Sequence, residues 1–183
     1  MPTYISMLRG INVAGHNQIK MTALRELFES VGFEQVQTYI QGGNVVFKAG
    51  KSSTLQISKK IEERIAKEFG FRVPVVTRTS AEMGSVIGSN PFLKTKGIDP
   101  TKLHVTFLSE APDPAALKKL EPLAVAPDQF LSRGDEIYLY CPNGYGNTKL
   151  SNNVIEKILA APATTRNWNT VNKLHEMAPE CGG

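Results

Sequence analysis

The sequence predicts an α+β protein of two ferredoxin-like halves of the βαββαβ type, the second degenerate, packed as one body. Three observations carry this. The stretch up to Thr79 alternates strand, helix, strand, strand, helix, strand. Strand, helix, strand, strand, helix recurs after Ser80. No low-complexity tract or long linker separates the two stretches. The expected halves are therefore residues 1–79 and 80–183, the second ending in a C-terminal helix.

Each element has a local cause. Tyr4 to Leu8 reads as a short buried strand. Thr22 is the expected cap of a helix with the apolar stripe Leu24, Leu27, Phe28 and Val31, stopped by Gly32. Val36–Ile40 and Asn44–Lys48 read as hairpin strands around the turn Gln41-Gly42-Gly43. Ser53 and Gln56 have capping-box spacing, before a helix that buries Ile57, Ile61, Ile65, Ala66 and Phe69 and stops at Gly70. Val73–Thr77 reads as the next strand.

In the second half, Ser80 is the expected cap of a short helix ending near Gly88-Ser89-Asn90-Pro91. A basic loop with Lys94, Lys96 and Lys102 follows. Leu103–Leu108 reads as a strand, and Asp113-Pro114 opens a helix through Leu120. Phe130–Ser132 and Glu136–Cys141 bracket the turn Arg133-Gly134-Asp135. Ser151 caps a helix with Val154, Ile155, Ile158 and Leu159. Asn169 is the expected cap of the last, with Val171, Leu174 and Ala178 inward. A final strand for this half does not stand out.

The composition is that of an ordinary globular chain: 183 residues, 41% hydrophobic and 21% charged. A net charge of +4 is compatible with an anionic partner without requiring one. Cys141 and Cys181 are the only cysteines, and no signal pattern or membrane-length apolar run appears. The expectation is a cytoplasmic protein.

Three clusters are rich in amides, guanidinium groups and glycine. They are Arg9-Gly10-Ile11-Asn12-Val13-Ala14-Gly15-His16-Asn17, Gln41-Gly42-Gly43-Asn44, and Thr164-Thr165-Arg166-Asn167-Trp168-Asn169-Thr170-Val171. The last holds the only Trp. Such groups bind by hydrogen bonds without titrating. In a ferredoxin-like sheet, strand one ends beside the hairpin of strands two and three. Arg9, Gly10 and Asn12 are therefore expected near Gly42, Gly43 and Asn44. Gly10 and Gly15 have Walker A spacing, but His16 and Asn17 stand where Lys and Ser/Thr belong, so that reading fails. The first loop is either an anion cradle or a glycine turn pinned to the core by Ile11 and Val13. Asn143-Gly144-Tyr145-Gly146-Asn147-Thr148-Lys149 is a fourth polar loop, expected to be a flexible surface turn.

Catalytic candidates are few. The three histidines lack metal spacing, the cysteines form no CxxC, and no Ser nucleophile elbow appears. His104 is expected to be a satisfied core residue and His175 exposed. His16, in the glycine loop, is the one histidine that is a candidate for an acid/base role, and the catalytic residues are otherwise unknown. Glu62 and Glu63 are expected on a solvated helix face. No metal and no cofactor is implied.

Leu8-Arg9-Gly10-Ile11-Asn12-Val13, Thr38 to Phe47 and Thr165-Arg166-Asn167-Trp168-Asn169-Thr170-Val171 resemble the signatures of domain-of-unknown-function family 1697. The resemblance covers nearly the whole chain. It implies a bacterial-type α+β protein built from ferredoxin-like halves, and no established activity. Gly42 departs from the family pattern, which usually has Ser before the Gly-Asn pair.

The expected function is binding of a phosphate-bearing or nucleotide-like small anion. Arg9 and Arg166 would supply charge, Asn12, Asn44 and Asn167 would orient the ligand, and Gly10, Gly15, Gly43, Trp168 and Asn169 would complete the site. Alternatives are an enzyme on such a ligand using His16, RNA binding on the sheet face through Tyr4 and Phe47, and a structural or partner-binding module. Trp168 is expected to be mostly buried.

Overall fold

The computed structural model describes residues 1–40 and 42–179. Two compact units divide the chain. Unit 1 is Met1–Gly84 with the chain from Lys173, and unit 2 is Ser85–Asn172. These bounds differ from a boundary at 79/80, because helix α3 (Ser80–Gly88) begins in one unit and ends in the other. The Ser80 hydroxyl donates to the Ala178 carbonyl, so the C-terminal stretch is tied back to unit 1.

Unit 1 runs β1 (Thr3–Leu8), α1 (Met21–Ser30), β2 (Glu34–Tyr39), β3 (Asn44–Lys48), α2 (Thr54–Phe69), β4 (Val75–Thr79). Its sheet order is β2-β3-β1-β4, and every neighbouring pair is antiparallel. Strand β1 is buried along its whole length, as the middle of a covered sheet requires. Helix α1 buries Leu24, Leu27 and Phe28, one face at helical spacing. Its N-cap is Lys20 with no side-chain bond, so Thr22 is not the cap. Ser53 caps α2 by accepting from the Gln56 amide, and Gly70 ends it at φ 77°. Ala66 and Phe69 are only half-buried. Phe28, Phe33 and Phe47 form the centre of the core, with the Phe33 and Phe47 rings stacked 4.5 Å apart.

Strand β4 starts two residues later than Val73. Pro74 has no amide to donate, and its carbonyl instead accepts from Arg9 at 3.0 Å.

Unit 2 runs β5 (Leu103–Leu108), α4 (Pro114–Lys118), β6 (Gln129–Arg133), β7 (Glu136–Tyr140), α5 (Asn152–Leu159), β8 (Ala163–Asn167), and α6 (Trp168–Met177) continues into unit 1. Its order is β6-β7-β5-β8, again with antiparallel neighbours. The final strand that the pattern conceals is β8, Ala-Thr-Thr-Arg-Asn. Its Thr165 is paired within the sheet and to α5: the Thr165 and Thr106 hydroxyls lie 2.8 Å apart, and Thr165 donates to Asn152 Oδ1 at 2.9 Å.

The two sheets share three bonds at equivalent places. Leu8 N donates to Gly43 O at 2.9 Å, as Leu108 N does to Asp135 O at 2.8 Å. Arg9 N bonds Pro74 O, as Ser109 N bonds Pro162 O. Ser6 and Thr77 hydroxyls lie 2.8 Å apart, as Thr106 and Thr165 do. The chain is thus an α+β protein of two similar four-stranded antiparallel sheets, each flanked by helices, consistent with an internal repeat.

Candidate functional site

In unit 1 the two glycine-rich segments meet at one end of the sheet. The Leu8–Gly43 backbone bond ties them, and Met7 pairs with Asn44 in register. The loop from Arg9 to Lys20 is a folded object. Asn12 Oδ1 accepts from Ile19 N at 2.8 Å, Asn12 Nδ2 donates to Ile19 O at 3.0 Å, and Asn12 N donates to Asn17 O at 3.2 Å. Val13 and His16 form an isolated bridge at the tip. Ile11 and Ile19 anchor the loop in the core, but Val13 is 59% exposed and pins nothing.

Asn12 therefore works as a clasp: both ends of its amide are spent on the chain. Asn44 acts alike. It is buried, and its Nδ2 donates to Tyr39 O at 3.1 Å, closing the hairpin turn. Gly43 has φ 82°, and a Cβ there would stand 2.9 Å from Leu8 Cβ. Gln41 lies outside the described residues. What faces solvent at this end is Gly10, Gly15 and His16, with Arg9 half-exposed. A Cβ on Gly10 or Gly15 would meet nothing within 4 Å. Lys20 and Arg72 are also exposed on the segments that border it. Neither stands out in the sequence. Arg72 belongs here because Pro74 bonds Arg9.

The third cluster belongs to unit 2 and lies on a strand and the first turn of a helix. Arg166 is in β8, opposite Val105. Its Nη1 donates to Thr164 Oγ1 at 2.6 Å and to Thr165 O at 3.0 Å. Burial pushes its pKa down to about 10, which leaves it charged at neutral pH. Asn167 caps α6 by accepting from Thr170 N at 2.8 Å. Asn169 is exposed and is not the cap. Trp168 is buried, at 8% exposure.

Arg78 is a position the sequence reading missed. Thr77-Arg78-Thr79-Ser80 repeats Thr165-Arg166-Asn167-Trp168 at the end of an edge strand and the start of a helix. Arg78 is buried where Arg166 is half-buried, and its Nη1 donates to the carbonyl of the preceding Thr77 at 3.1 Å. Thr79, not Ser80, is the cap: Thr79 and Glu82 exchange two 3.0 Å bonds.

Other expectations change on inspection. Tyr4 and Phe47 are buried in the helix-side core, so they offer no base-stacking platform. His104 stacks on Tyr145 at 4.7 Å, but its Nδ1 is buried without a hydrogen-bond partner. Burial lowers its pKa, opposed by the Lys102 backbone. His175 is half-buried against Gly84. Glu62 is not on a solvated face. It is half-buried, Oε1 accepts from Val75 N at 2.8 Å, and desolvation raises its pKa against that bond. Burial pushes the Cys141 thiol up and Tyr138 to about 12. The Asn143–Lys149 loop is an internally bonded turn, with Asn147 Nδ2 donating to Asn143 O at 2.8 Å. Among the described residues no His/Cys/Asp/Glu group is placed to hold a metal, and no helix is long and apolar enough to cross a membrane. Cys181 lies outside the described residues.

Fold and sites together define an α+β protein with two similar sheet-and-helix halves and a polar loop cluster at one sheet end. The chain matches the family described as "Protein of unknown function (DUF1697)" over residues 1–138, and it belongs to that family of bacterial proteins. In fold it is similar to the conserved bacterial protein SP0830 from Streptococcus pneumoniae. The TM-score is 0.77 at 23% identity, covering 97% of this chain and 99% of that one. No curated protein matches.

Proposed function

We propose that the protein binds a phosphate-bearing or nucleotide-like small anion at the loop-bearing end of the unit 1 sheet. The observation that carries this is the Leu8–Gly43 bond, which joins two glycine-rich segments beside Arg9. His16, Lys20 and Arg72 add hydrogen-bond donors around it, and the open space over Gly10 and Gly15 lets a ligand approach the backbone. Asn12 and Asn44 serve by holding the loops rigid. That is what preorganised binding needs from them. Arg166 and Asn167 are engaged by their own sheet and helix, which supports a scaffold role for them.

Each half is read as a ferredoxin-like unit. The support is the strand order of both sheets, with the first strand between the third and the fourth. The buried, unpaired thiol of Cys141 supports a cytoplasmic location.

The test is a thermal-shift series on the full chain with inorganic phosphate, nucleotides and sugar phosphates. A ligand at about 100 times its Kd adds roughly 2.7 kcal/mol. Arg9→Ala is expected to weaken the best ligand about tenfold or more, the worth of one charge-assisted bond. An equal shift in wild type and Arg9→Ala sinks the site, and the absence of a shift with every anion sinks the function.

A further inference from the structure

Unit 2 has a second feature that the anion reading does not use. A shallow, open groove of about 580 Å³ runs beside the edge strand β6. Four consecutive strand residues, Gln129 to Ser132, line it. Consecutive residues point to opposite faces, so lining by all four means the groove follows the strand's open edge. The other wall is α4 and the turn after it, through Pro114, Leu117 and Ala124.

The internal repeat explains the gap. In unit 1, α1 packs directly on β2, the strand equivalent to β6. In unit 2, α4 has no buried residue, packs on α5, and has no comparable contact with β6.

The edge itself lacks protection. Natural edge strands are blunted by bulges, prolines or central charges. Strand β2 follows that rule, with a register shift between Glu34 and Gln37 and Gln35 at φ 50°. Strand β6 is regular, carries no charge before its last residue, and exposes Leu131 by 46%.

We propose that this groove takes an extended peptide of a partner protein, which adds a fifth strand antiparallel or parallel to β6. The choice of occupant follows from complementarity. The outer edge presents alternating amide and carbonyl groups, which only another extended backbone can pair along its length. Leu117 and Phe130 ask for apolar side chains at alternate peptide positions. Glu121 and Asp128 outweigh Lys118 on the rim, so a basic residue on the peptide is favoured.

The test uses the full chain and synthetic heptapeptides with alternating apolar residues and one terminal lysine. Amide exchange is followed by NMR. Binding peptides are expected to protect alternate amides of Gln129–Arg133. N-methylation of alternate peptide residues removes the backbone donors and is expected to weaken binding more than about tenfold, a loss of about 1.4 kcal/mol. Leu131→Lys is expected to weaken it similarly with an unchanged circular dichroism spectrum. The proposal is overturned if N-methylated peptides bind as well, or if no peptide protects these amides at about 1 mM, where only about −4 kcal/mol of binding is needed. It is also overturned if these amides are already protected in the free protein by a concentration-dependent dimer, which would make a second copy the occupant. The N-methyl comparison needs no variant, so a misfolded Leu131→Lys leaves it decisive.

Discussion

At the residue scale, the polar signatures divide into those that build and those that face outward. Asn12, Asn44 and Asn167 each spend their side chains on backbone groups. Gly43 is required twice, by its φ of 82° and by Leu8 Cβ at 2.9 Å. Gly43→Ala is therefore expected to cost about 1–3 kcal/mol in denaturant unfolding, from strain plus overpacking. Gly15→Ala shares the positive φ, at 76°, but meets nothing. It is expected to cost about 1 kcal/mol, the conformational part alone. Equal losses at the two positions would show that the close approach to Leu8 does not matter.

His104 carries the pH dependence. Its folded pKa lies below the ordinary value of 6.5 because burial disfavours the imidazolium. The unfolded chain then takes its proton first as pH falls. The associated stability is complete above 6.5 and is lost as pH drops through the lower folded value. Relative to His104→Phe, which keeps a ring against Tyr145, the wild type should lose stability as pH falls from 6.5 to the lower folded value, by at most about 1.4 kcal/mol per pH unit, and no further below it. A difference between the two proteins that is flat with pH would contradict the buried, neutral imidazole.

At the element scale, strands with an apolar run were legible and β8, which has none, was not. β3 and β5 follow from Val, Phe and Leu at the expected places. β8 escaped because its stability in the sheet comes from the Thr106–Thr165–Asn152 chain, which has no hydrophobic period to detect. That omission displaced the helix start as well. With β8 unseen, Asn169 stands as the expected cap and Asn167 as a ligand-orienting residue. The sheet end shared by Arg9 and Gly43 was legible because strand order alone dictates it. The clasp roles of Asn12 and Asn44 were not, because side-chain bonds to backbone depend on loop geometry that spacing does not reveal. The caps give a direct comparison. Asn167→Ala removes the acceptor for Thr170 N and should cost about 1 kcal/mol. Asn169→Ala, at an exposed position, should stay within about 0.5 kcal/mol. The reverse order in thermal unfolding would restore Asn169 as the cap.

At the scale of the whole molecule, the two halves share a sheet and differ in what is attached to it. The link between the first strand and first helix is Arg9–Lys20 in unit 1 and only Ser109–Asp113 in unit 2. The first helix is long and packed in unit 1, short and unburied in unit 2. Features beyond the shared frame are where each half has room for a separate role. The long link is a direct place to test this. Its anchors, Ile11 and Ile19, are core residues, and Asn12 N bonds Asn17 O, so the chain is already closed below the tip. Replacing Val13-Ala14-Gly15-His16 by Asn-Gly should leave these anchors in place, because a two-residue turn suits such a closure. Loop closure depends weakly on length, so stability should change by no more than about 1 kcal/mol. The variant loses Gly15 and His16 but keeps Arg9, Lys20 and Arg72. The anion-induced thermal shift should fall with the tip and should survive in part through the remaining cations. A shift that is unchanged would confine the site to Arg9 and the Gly43 turn. A loss of folding without ligand would make the tip part of the frame, and unit 1 would then have no loop set aside for binding.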